Sequence, residues 1–174
     1  MKKVSKKFGQ YVVEMRKFKE TMGHDDSLPF NAELWVGNTH IANCYNDGWG
    51  GETVVAPVNC ELFDKVAKEV CATKGALCKE EWSYTMPILA DELSWQCEVA
   101  KTIEKSQRNG LVFLKEDGNL TIVPFNSGKR KNIPISEMLL SQSGQELIKK
   151  TIEKYEKMGL KLVSTNIRYS KVLI

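Results

Sequence analysis

The chain has 174 residues, of which 42% are apolar and 27% charged. That is the composition of a folded globular chain, and it excludes a disordered tail or a fibre. No apolar run approaches the roughly 20 residues of a membrane helix, and the start MKKVSKKFGQYVVEM lacks the apolar stretch of a secretory signal, so a cytosolic protein is expected. The five cysteines, Cys44, Cys60, Cys71, Cys78 and Cys97, are odd in number and never spaced C-x-x-C, which predicts reduced thiols and gives no spacing for a zinc site.

Charge is spread unevenly along the chain. Residues 1–20 carry a net +5, residues 21–100 a net −9 and residues 101–174 a net +7, against +3 for the whole. Such asymmetry marks either a footprint for a charged partner or two parts that attract each other in the fold.

In chain order, Phe8, Val12, Met15 and Phe18 or Lys19 recur at helical spacing, and predict a helix over about 6–21 with its lysines outward. Gly23 would end it. His24-Asp25-Asp26-Ser27 then forms a polar loop that offers half a metal site at most, because no second spaced ligand accompanies the histidine. Phe30, Ala32, Leu34 and Val36 alternate with polar or amphipathic residues, the period of a half-buried strand. Gly37-Asn38 is turn chemistry, His40–Tyr45 returns as a second strand, and Thr53–Val58 supplies a third.

Between the last two strands lies Asn46-Asp47-Gly48-Trp49-Gly50-Gly51. Its glycines permit backbone shapes that other residues avoid and leave amides able to line an anion-binding concavity. Asn46 and Asp47 are suited to bond amides two residues on. Trp49 is an aromatic at the tip of a polar turn. The loop is either a tight connection with Trp49 folded onto the sheet, or a ligand-contacting loop with Trp49 as a stacking face. It has neither the lysine-serine ending of a P-loop nor the spacing of a dinucleotide fingerprint.

Asn59 is placed to cap a helix from Cys60 with Leu62, Phe63, Val66, Ala67 and Val70 as its stripe and Gly75 as its end. Residues 76–87 read as a connector, followed by a longer helix over about 86–108. Leu111–Leu114 and Leu120–Phe125 flank Asp117-Gly118, a strong hairpin signal. Asn126–Asn132 is a polar loop with three consecutive cations, Lys129, Arg130 and Lys131, either solvated or aimed at a phosphate. A short helix near 136–140 follows. Next comes one capped by Ser143 and Glu146, with Leu147, Ile148, Ile152 and Tyr155 buried. Leu160–Arg168 is a last strand. The layout is α+β: one domain over 1–174, with an antiparallel sheet of five or six strands and four or more helices packed on it.

The series KFKETMGHDD, FNAELWVG and IANCYNDGWGG, ahead of a helical middle and a final Gly-Leu-Lys-Leu-Val strand, resembles a group of uncharacterised small proteins encoded by bacteriophages and mobile elements. Phe30, Ala32 and Leu34 match the group's strand, and Asn46, Gly48, Gly50 and Gly51 its loop. The resemblance implies a phage-linked origin and supplies no activity.

No nucleophile–base pair, metal cluster or catalytic signature accompanies the two histidines, His24 and His40. No catalytic residue, metal ligand or cofactor is therefore assigned, which lowers an enzymatic reading. An acid-only metal site of Asp25, Asp26 and Asp47 is the nearest approach to one. The leading expectation is a phage-encoded protein of the host cytoplasm that binds a small, anionic, nucleotide-like ligand, sequestering a host immune signalling nucleotide. Its ligand residues would be Asn46, Asp47, Gly48, Trp49, Gly50, Gly51, Lys129 and Arg130. The alternative is a protein-binding inhibitor of a host enzyme or defence protein. Nucleic acid ranks last among partners, a membrane is not expected, and the oligomeric state stays open.

Overall fold

The computed structural model describes residues 4–21, 29–73, 84–127 and 130–164. The chain falls into two compact units, Lys2–Glu98 and Val99–Ile174.

The first unit is built on five strands: β1 (Val4–Phe8), β2 (Tyr11–Glu20), β3 (Phe30–Val36), β4 (Thr39–Asn46) and β5 (Val54–Pro57). They pair antiparallel in sequence order. The predicted helix over 6–21 is therefore overturned: these residues form the β1–β2 hairpin. Gly9 at φ 52 opens its two-residue turn, a position that favours glycine. The helical spacing has a specific cause. Val13 and Met15 point inward with period two, then a bulge between Arg16 and Lys19, with Lys17 at φ 52, returns Phe18 to the same face after three residues. Val12, expected inside, is exposed.

One face of this sheet is apolar. Val13, Met15, Phe18, Phe30, Leu34 and Ile41 form a single cluster with Val66 and Val70 of α1 (Cys60–Ala72) and Leu89 and Leu93 of α2 (Met86–Ser106). Each such side chain contributes about 1.5–3 kcal/mol on burial. Helix α1 starts where expected, with the Asn59 side chain accepting from the Leu62 amide at 3.1 Å. Gly75 and most of the connector before α2 lie outside the described residues.

The second unit contains β6 (Gly110–Leu114), β7 (Leu120–Pro124), α3 (Ile135–Met138), α4 (Gln142–Lys157) and β8 (Lys161–Leu162). Its sheet has the order β7-β6-β8, with both pairings antiparallel. Leu111 and Phe113 pack there against Ile135 and Ile148. The protein is thus α+β and contains an antiparallel sheet of five strands, within the expected five or six, but a separate three-stranded sheet accompanies it and the helices are shared between the two cores. Two local expectations also shift. The cap of α4 is Ser141, whose hydroxyl accepts from the Gly144 amide at 3.1 Å, and Ser143 lies within the helix. Leu147 is exposed while its neighbour Ile148 is buried. Of the expected last strand, Leu160–Arg168, only Lys161–Leu162 form a strand, β8, among the described residues, and its positions from 165 onward lie outside them.

Among the described residues Cys44 and Cys97 are buried free thiols and Cys60 and Cys71 exposed ones, while Cys78 lies outside them. Burial, aided by Asp91, Cys97 and Glu33, pushes the Cys44 thiol up to about 12, so it stays protonated and unreactive at neutral pH. No described helix is long and apolar enough to cross a membrane.

Candidate functional site

The loop Asn46–Gly51 leaves the end of β4 and re-enters the sheet before β5. Its shape is set by its own side chains. The Asn46 carboxamide oxygen accepts from the Gly48 amide at 2.8 Å, and Asp47 accepts from the Trp49 amide at 3.0 Å. These are two consecutive Asx turns, as the residue types require. Gly48 and Gly50 take φ values of 77 and 79, where a side chain would be strained. The same two bonds consume the amides of Gly48 and Trp49, and the Asp47 carboxylate sits among the donors that remain. As an anion cradle the loop is weaker than its glycine content implies.

What it presents instead is a ring. Trp49 is 68% exposed. The base of the loop is fixed to the core. The Asn46 amide donates to the Thr53 hydroxyl at 3.0 Å, and Thr53, itself buried, donates to the Asp91 carboxylate of α2. Crowding around that carboxylate raises its pKa, opposed by the Thr53 bond and helped by Glu52, although part of the residue still meets solvent. This link joins residues far apart in the sequence, and no local pattern announces it.

The basic loop belongs to the other unit. Lys129 lies outside the described residues. Arg130 forms a two-pronged pair with Glu137 at 2.6 and 2.7 Å, so its charge is already matched. Both residues line a groove of about 470 Å³ together with Ser127, Ser141 and Leu147. Of the expected ligand residues, Asn46 to Gly51 form one loop of the first unit and Arg130 belongs to the second.

A second polar cluster ties β1 to α2. Lys6 donates to both oxygens of Glu92 at 2.9 and 2.7 Å, and its ammonium lies 4.7 Å from the Tyr84 ring centre. The Tyr84 hydroxyl also donates to Glu92. Burial pushes the Glu92 carboxyl up, but Lys6 and Tyr84 outweigh it and hold it below its ordinary value. The cluster is satisfied within itself and has the character of a structural tie. Among the described residues, no group of three or more His, Cys, Asp or Glu side chains converges as a metal would require.

Compared with known proteins, the chain matches no family model, no curated protein and no solved structure.

Proposed function

We propose that the protein captures a small anionic, nucleotide-like ligand by stacking its base on Trp49, and acts by holding that ligand rather than converting it. The observation that carries this reading is the exposure of a large ring on a loop held by two Asx turns and anchored through Thr53 to Asp91. A rigid aromatic loses little freedom on binding, so its stacking energy is retained. The resemblance of the Phe30–Gly51 stretch to phage and mobile-element proteins supports a narrower form: sequestration of a host immune signalling nucleotide in the host cytoplasm.

The test is titration of the protein with a panel of cyclic and linear nucleotides. Trp49→Ala should weaken binding about tenfold to a hundredfold, the equivalent of about 1–3 kcal/mol per stacked base, with the melting temperature nearly unchanged. Absence of binding by the wild type, or equal binding by the variant, removes this reading.

One observation favours a second reading. Tyr45, Val54 and Val58 are also exposed, beside or near the Trp49 loop in sequence. They would serve an inhibitor that docks on a host protein. A complex with such a protein that survives excess nucleotide, but not Trp49→Ala, would select this alternative.

A further inference from the structure

The cations of the first 20 residues, expected on the solvent side of a helix, lie instead on a sheet. Among the described residues, no helix of this unit lies on the face of the five-stranded sheet opposite α1 and α2. Its side chains form rows set by the strand register. Lys19, Asn31, Tyr45 and Val54 make one row across β2 to β5, and Arg16, Glu33, Asn43 and Ala56 the next. Glu14, Trp35 and His40 make a third, and Lys7 pairs with Val12 at the β1 edge. Neighbouring members of a row lie about 4.8 Å apart.

The acids on this face are already matched. Glu14 accepts from Arg16 at 2.8 Å, and Glu33 accepts from Lys17 at 2.8 Å and from the Trp35 ring at 2.9 Å. Lys7 and Lys19 have no ion pair among the described residues, so the face carries uncompensated positive charge. The helical side carries the opposite sign. Through Glu98, α1 and α2 hold six acids against two lysines. Charge is thus segregated to the two sides of one unit, which directs a polyanion to the sheet face.

The ring chemistry is equally specific. Trp35 is covered on one side by the Arg16 guanidinium at 4.7 Å and stacks with His40 at 5.1 Å, an arrangement that props both side chains upright. Tyr45 is 44% exposed and lies in the row that holds Lys19 and Asn31.

We propose that this open face binds single-stranded nucleic acid. Lys7 and Lys19 take phosphates, Tyr45 stacks a base, and the Asn31 and Asn43 carboxamides meet base edges. Stacked, splayed bases need an unpaired strand, so duplex is the poorer ligand. The proposal rests on the sheet face and is independent of the Trp49 reading.

The test is fluorescence anisotropy of labelled oligo-uridine and oligo-thymidine of about 12 nucleotides, within the span that single-strand binders cover. With two phosphates neutralised, affinity should fall about sevenfold between about 50 and about 200 mM salt. Tyr45→Ala should weaken binding about tenfold at either salt, because stacking is not screened. Lys7→Ala combined with Lys19→Ala should weaken it at low salt and abolish most of the salt dependence. All three side chains are solvent-facing, and circular dichroism is the check that each variant is folded. No oligonucleotide binding by the wild type at about 50 mM salt overturns the proposal. So does binding unchanged in both variants, or duplex bound as tightly as single strand. Trp49→Ala separates the two sites: loss of nucleotide binding with oligonucleotide binding retained supports this face as a site of its own, and loss of both overturns its independence.

Discussion

The two sheets bury their central strands in different ways. In β3 buried and more accessible residues alternate, with Phe30, Ala32 and Leu34 inside and Asn31, Glu33 and Trp35 turned to the other face. In β6 four consecutive residues, Gly110 to Phe113, are buried. Alternation marks a sheet covered on one side only, and an unbroken buried run marks a strand covered on both. A five-stranded sheet with one bare face has room to meet a partner. A strand with four consecutive buried residues offers little of its surface to a partner. The exposed chemistry worth testing is therefore concentrated in the first unit, on the bare face and on the loop beside it.

Mutations along these strands test the contrast. The largest effect is expected at Phe113, which is fully buried and stacks on Tyr155 at 4.9 Å. Phe113→Ala should cost about 3–5 kcal/mol in urea unfolding. The sharper experiment compares parity. Val112→Ala, on the opposite side of β6 from Phe113, should still cost about 2 kcal/mol. Asn43→Ala on the bare face should stay within about 0.5 kcal/mol. A harmless Val112→Ala would break the contrast. Next in size is Thr53→Val, which keeps the shape but cuts the link between Asn46 and Asp91. A loss of about 1–2 kcal/mol is expected, with faster proteolysis at the glycine loop; an unaltered loop would show that the link anchors nothing.

A small effect of pH is also expected. Glu92 is held below its ordinary value of 4.5. A depressed acid contributes stability that is present above that value and lost as pH falls through the folded one. Because Lys6 and Glu92 both remain partly exposed, the contribution is under about 1 kcal/mol. Glu92→Gln should remove that part of the acid slope. Identical acid profiles for variant and wild type would count against the tie.

The readable parts of the chain were those where local pattern and fold agree. The alternation of β3, the Asn59 cap, the Asp117-Gly118 hairpin and the Asx turns of Asn46 and Asp47 all stood in the sequence. The first hairpin did not, because a bulge at Lys17 gave inward residues the three-residue spacing of a helix. The Thr53–Asp91 link and the Arg130–Glu137 pair were hidden for another reason. Thr53 and Asp91 lie 38 residues apart and meet only through tertiary packing, while Arg130 and Glu137, seven apart, are brought together by the irregular turn between β7 and α3, which no periodic pattern announces. The bare face escaped notice because its cations were assigned to the wrong secondary structure, not because its residues were unremarked.

The order β1-β2-β3-β4-β5 also permits an order in time. Every strand of the larger sheet pairs with its immediate predecessor in sequence, so each ladder closes over a short loop and costs little chain entropy. During synthesis the meander can zip strand by strand as it emerges, without waiting for distant partners. Its inner face, with Phe30 and Leu34, then stays uncovered until residues 60–98 arrive to form α1 and the first part of α2. The second unit has no such schedule. β8 pairs with β6 only after α3 and α4 have been made, so the smaller sheet is completed last.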